Sequence, residues 1–131
     1  MKDITQAWLD AAKEDLIASR QLLVVEGLTN IVAFHSQQCI EKAFKAILEE
    51  QGIKLVKSHD LIRLCKDVER YLVIPNQDTL LILNELYVDS RYPGEMGLLP
   101  SGKPNEKEAK DLVEYSASIF DKIHEFLSTK S

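Results

Sequence analysis

Glycine and proline are scarce in this chain, five and four among 131 residues. An all-β domain needs a turn about every ten residues, and turns draw on these two residue types. So small a supply argues against that class. Basic residues are outnumbered too, 16 Lys and Arg against 21 Asp and Glu, for a net charge of -5. Non-specific nucleic-acid binding rests on cations that neutralise phosphates. The acidic balance therefore disfavours it, while leaving room for a local basic patch, a small nucleotide or a basic partner surface. RNA stays open as a ligand. Cys39 and Cys65 are too few for a disulfide framework, and no CxxC or Cys/His cluster has zinc spacing. No metal or cofactor is expected. Met1-Lys2-Asp3-Ile4-Thr5-Gln6 has no signal-type apolar run, and no window approaches the roughly 18 apolar residues of a membrane span. The expectation is a reduced, cytoplasmic protein.

What is present is helical pattern. By length, residues 1–131 are expected to form one domain with a single core. The most informative stretch is Phe34 to Leu48. At 3.6 residues per turn, His35, Gln38, Glu41, Lys42, Lys45 and Glu49 share an arc of about 120°. Ala33, Cys39, Ile40, Ala43, Phe44, Ala46 and Ile47 fill the other side. The apolar face needs a bundle to bury it; the polar arc is either solvent surface or a site. Around this helix four others are predicted. Asp3 with Gln6 has capping-box spacing and opens a helix to about Val25, with Ile4, Trp8, Ala11, Ala12, Ala18, Leu22 and Val25 as its apolar residues. Thr29 or Asn30 can cap the central helix, which ends near Gly52. Ser58 can cap a third helix from His59 to about Arg70, with Leu61, Leu64, Cys65 and Val68 inside. Asn76 can cap a fourth from Gln77 to about Ser90, stopped at Tyr92 before Pro93. Asn105 and Glu108 form a capping box for a fifth, Glu106 to about Leu127, with Leu112, Val113, Phe120, Ile123 and Leu127 as its stripe. Long helices on short loops favour antiparallel neighbours. The expected architecture is an all-α, up-and-down antiparallel four-helix bundle with one additional short helix. The connection from about Arg91 to Pro104 is the longest, and loops of that length are often functional.

Four segments of this pattern resemble the HEPN domain family (higher eukaryotes and prokaryotes nucleotide-binding). They are Ala12-Lys13-Glu14-Asp15-Leu16 with Leu22-Leu23, the run from Phe34 to Ala46, Ser58-His59-Asp60-Leu61, and Asp89-Ser90-Arg91-Tyr92-Pro93. The Gln-Gln-x-x-Glu-Lys-x-x-Lys string and the Arg-Tyr-Pro end are the most specific. The resemblance implies a helical bundle, often a homodimer. It implies membership of a two-component system, often toxin and antitoxin, beside a minimal nucleotidyltransferase, with a nucleotide or phosphate as candidate ligand. Ribonuclease members carry Arg, four to six residues, then His. Here Arg91 is followed by Tyr92, Pro93, Gly94, Glu95, Met96, Gly97 and Leu98, and the next His is His124. The usual source of a general acid or base is missing, so no catalytic residue is assigned and the expectation leans away from an enzyme. A ribonuclease toxin with a non-standard site, pairing Arg91 with His35 or His59, is the alternative; a purely structural helical partner is a third.

The candidate nucleotide- or phosphate-binding residues are Arg91, Tyr92, Lys42, Lys45, Asp15, Glu41 and His35. Arg91 has the planar cation that suits phosphate, or else it pairs with Asp89 or Glu95. Tyr92 either stacks on a base or wedges against Pro93. Lys42 and Lys45 either meet a phosphate or, as with Glu41 and Lys45 at i,i+4, brace the helix surface. His59 is expected in the first turn of the third helix, where Asp60 complements the dipole. Asp15 falls near an apolar stripe, and if buried it needs a partner, for which Lys42, Lys45 and Arg91 qualify. In that case the polar arc faces a cleft; otherwise Asp15 lies solvated at the helix edge. Leu80, Ile82, Leu83, Leu86 and Tyr87 are the expected buried side of the fourth helix. Leu81 and Val88, flanking Asn84 on the opposite side, are candidates for a dimer or partner contact.

Overall fold

The computed structural model describes residues 1–55, 57–91 and 103–129, the side chains of 88–91 excepted. Among these residues there are five helices and no strand: α1 (Asp3–Leu22), α2 (Thr29–Glu50), α3 (Leu61–Val68), α4 (Gln77–Arg91) and α5 (Glu106–Thr129). Four long helices form an all-α up-and-down bundle, and α3 is the additional short one. Helix α2 packs against all the others. From Ser36 to Leu48 only Gln38 and Lys42 are not buried. A helix buried all round is the axis of a bundle rather than an amphipathic wall.

The helix ends follow local chemistry. At the end of α2, Gly52 takes φ +74, a left-handed conformation that costs glycine nothing. Its N–H donates to the Glu49 carbonyl and the Ile53 N–H to Leu48, which is the Schellman pattern. Ile53 then packs on the core. At α5 the capping box forms as its spacing predicts. The Glu108 N–H donates to Asn105 Oδ1 (2.8 Å), and the Asn105 N–H donates to Glu108 Oε1 (2.9 Å).

Other expectations need correction. Helix α1 has Lys2 at its N-cap with no side-chain cap bond, and Gln6 donates to Asp10 instead. It ends at Leu22 rather than Val25. Its buried row is Thr5, Leu9, Ala12, Asp15, Leu16 and Ser19, whereas Ile4 and Val25 are exposed. Thr5 and Ser19 read as polar, yet each hydroxyl has an acceptor, Thr5 across to α2 and Ser19 within its own helix. Thr5 donates to Glu50 Oε1 (2.8 Å) and Ser19 to the Leu16 carbonyl (3.0 Å), so burial costs them little. Helix α2 is preceded by Leu28, without a side-chain cap from Thr29 or Asn30. Helix α3 begins at Leu61, not His59. Its cap is Asp60, whose carboxylate accepts from the Ile62 and Arg63 N–H groups, while Ser58 Oγ accepts from the Asp60 N–H. In α4, Leu80, Leu83, Leu86 and Tyr87 are buried, but Ile82 is exposed. It lines a shallow groove with Thr79, Leu86, Pro104 and Leu112.

Core burial also tunes three acidic groups. It pushes the Cys39 thiol up to about 12 and Cys65 up to about 11, with Asp15 and Glu69 adding charge repulsion. Tyr115, whose hydroxyl donates to the Pro75 carbonyl (2.7 Å), rises to about 12 for the same reason. The native state holds these protons more tightly than the unfolded chain, whose thiols ionise near 9.0. Stability from this source is complete below that value and is lost as pH rises through the folded values. Urea midpoints should fall steadily above about pH 9, and Cys39→Ala with Cys65→Ala should flatten the decline.

Candidate functional site

The polar residues of α2 do not face open water. They meet α1 on one side and the α3 approach and α4 on the other. Asp15, on the buried row of α1, accepts at Oδ2 from Lys42 Nζ (2.7 Å), and its Oδ1 is 2.8 Å from His35 Nδ1. Asp15 is therefore buried and partnered rather than solvated at the helix edge. Lys42 is its cation, and His35 is a second partner.

Glu41, on α2, is only 3% exposed. Its Oε2 accepts from Lys45 Nζ (2.9 Å), and its Oε1 lies 2.9 Å from His59 Nδ1. Gln37 Nε2 donates to the same Oε1 (3.2 Å) and to the His59 carbonyl (3.1 Å). Gln38 Nε2 donates to Gln37 Oε1 (2.7 Å). The Lys45 ammonium also lies 5.5 Å from the Trp8 ring centroid, a cation–π contact that keeps a buried charge solvated by the ring. A buried carboxylate is tolerable only with this degree of pairing.

The two clusters repeat one plan. Each carboxylate takes one lysine and the Nδ1 of one histidine. Neutral histidines in this arrangement carry the proton on Nδ1 and leave Nε2 as a lone pair. The two carboxylates match the two ammonium groups, so Lys42 and Lys45 are consumed within the site. The clusters are linked by rings: His35 lies edge-on to Phe34, Phe34 stacks on Tyr87, and Tyr87 stacks on His59.

Of the residues singled out from the sequence, the structure brings together Asp15, His35, Glu41, Lys42 and Lys45. The side chains of Arg91 and Val88, and all of Tyr92, lie outside the described residues. Leu81 is exposed. Asn84 is engaged within the chain, accepting from the Leu61 N–H (3.0 Å) and donating to Asp60 Oδ1 (3.1 Å). Sequence reasoning missed Gln37, Phe34, Tyr87 and Trp8. It placed His59 inside α3, whereas His59 precedes the cap and turns back to Glu41. The one available signal was Gln37, a fully buried amide beside Gln38 in the string that carries the family likeness. Among the described residues no cluster of His, Cys, Asp and Glu could hold a metal ion, and no helix is long and apolar enough to cross a membrane.

Residues 5–126 match the family model described as the HEPN domain. A protein of Methanocaldococcus jannaschii, named as a candidate toxin, is 28% identical over 136 residues, covering 94% of this chain and 88% of its own. Among crystal structures, an HEPN domain protein of Thermotoga maritima is 29% identical, covers 93% of this chain and 98% of its own, and superposes with a TM-score of 0.70. An archaeal HEPN homologue is 28% identical with a TM-score of 0.68, covering 95% of this chain and 97% of its own. A Thermus thermophilus protein, 21% identical, shares the fold with a TM-score of 0.80 over 95% of this chain and 99% of its own.

Proposed function

Because this chain belongs to the HEPN domain family, we propose that it is the helical member of a cytoplasmic, toxin–antitoxin-like two-component system. Its partner is a minimal nucleotidyltransferase, and it works as a homodimeric binding module with a nucleotide as ligand. The observation that carries this reading is the family match across nearly the whole chain; the archaeal relative named as a candidate toxin points the same way. The paired clusters around Asp15 and Glu41 are the candidate site. Since both lysines there are already neutralised, the phosphate end falls to cations outside the two clusters. Leu81 and Ile82, both exposed on α4, offer the apolar contact for the second subunit. The test is co-expression with a nucleotidyltransferase encoded beside this gene. A complex that co-elutes in size-exclusion chromatography, and relief of any growth arrest caused by this chain alone, are expected. Separate elution without any effect on growth would overturn the partner reading.

One observation favours a second reading, a metal-independent ribonuclease with a non-standard site. His35 and His59 are each held at Nδ1 by a carboxylate, the arrangement that orients a histidine to move protons at Nε2. RNA cleavage by the pure protein without metal, lost in both His35→Ala and Arg91→Ala, would favour it over the binding module.

A further inference from the structure

The rings between the two clusters form a ladder with one closed end and one open end. Phe34 and Tyr87 are nearly parallel, 13° between planes and 5.7 Å between centroids. Tyr87 and His59 continue the stack at 29° and 5.2 Å. The inner end is closed by His35, edge-on at 82° to Phe34. At the outer end the His59 side chain is 53% exposed, with one face of its ring on Tyr87.

An exposed histidine on an irregular segment would ordinarily sample several rotamers. His59 is instead held at three points: Nδ1 on Glu41, its carbonyl on Gln37, and its ring on Tyr87. The anchoring carboxylate is itself buried and braced by Lys45. The bond from Nδ1 serves the buried carboxylate, and together with the stack on Tyr87 it leaves the exposed ring preorganised for a planar ligand. Lys57 and Arg63 border this ring in the chain, both exposed and without an ion pair among the described residues. They are free cations where Lys42 and Lys45 are not.

We propose that the outer face of the His59 imidazole is a stacking platform for a nucleobase, with the sugar-phosphate running toward Lys57 and Arg63. This rests on the nucleotide reading above and specifies where the base sits. A base lying on His59 extends the ladder by one ring, the same contact by which aromatic side chains hold unpaired bases. The base can belong to a free nucleotide or to single-stranded RNA, since both present the same π-face.

Two substitutions separate stacking from polar roles. His59→Phe keeps the ring and loses the bond to Glu41; His59→Asn keeps a donor for Glu41 at the position of Nδ1 and loses the ring. Binding of AMP, ATP and a short unstructured RNA would be measured by isothermal titration, with ribose 5-phosphate as the baseless control and circular dichroism as a check on folding. Stacking predicts that His59→Phe stays within about threefold of wild type and His59→Asn weakens binding about tenfold. Ribose 5-phosphate should show no difference among the three proteins. In NMR spectra the wild-type His59 ring protons should move upfield on binding. AMP and ATP binding without RNA binding assigns the platform to free nucleotides; the reverse assigns it to a strand. If nucleotides bind but His59→Asn binds normally and His59→Phe does not, the platform is wrong and the nucleotide reading stands. If neither nucleotide nor RNA binds the wild-type chain, both fall.

Discussion

Lys45→Met should lower the stability of this domain by about 3 kcal/mol or more, because it strands Glu41. Glu41 is nearly fully buried, and its Oε2 has Lys45 as its cation at 2.9 Å. Methionine fits the volume of the lysine stem but returns nothing to the carboxylate. For a chain of this size the melting temperature should fall by roughly 10 °C, readable by circular dichroism. The partner experiment is the double replacement Glu41→Leu with Lys45→Met. Removing both charges also removes the desolvation they cost, so the double variant should recover much of the loss. An additive double variant would mean that the two residues are not a coupled buried pair. The Trp8 ring, which also faces the Lys45 ammonium, should report the change as a shift in its fluorescence.

The second large effect is expected at Phe44, the largest of the fully buried side chains on α2. Phe44→Ala should cost about 3–5 kcal/mol, the transfer free energy of the ring plus the cavity it leaves. Because α2 touches every other helix, the surroundings cannot collapse on one side without loosening another, which favours the upper part of that range. A urea midpoint that drops with an unchanged slope is the expected result. A loss below about 1 kcal/mol would show that the core around α2 is repacked easily.

Much of the fold was legible before any coordinates. The end of α2 and the start of α5 follow from Gly52 and from the Asn105–Glu108 box, because they are set by residues within a few positions of one another. Leu61, Leu64, Cys65 and Val68 of α3, and the α5 stripe, were legible from 3.6-residue periodicity alone. The α1 row was misread because Thr5 and Ser19 look polar in sequence, and their burial depends on acceptors at Glu50 and Leu16 that only packing or rotamer choice supplies. Ile82 was misread because an apolar side chain can be left facing a groove when its neighbours Leu80 and Leu83 already fill the core.

The candidate site divides along the same line. Sequence alone determined that Glu41, Lys42, Lys45 and His35 share one side of α2, since that is a property of one helix. It also determined that Asp15 lies near the inward face of α1. Only the tertiary structure decided who pairs with whom. A carboxylate can bond at i,i+4, as Glu41 does with Lys45, or across 27 residues, as Asp15 does with Lys42. Sequence spacing limits the first choice and says nothing about the second. His59 shows the difference most clearly. Local capping rules placed it inside α3, but the cap is Asp60. That two-residue shift frees the imidazole to reach back to Glu41 and to stack on Tyr87. Short-range hydrogen-bond geometry sets where helices begin. Burial, acting over the whole chain, sets which polar groups must find one another.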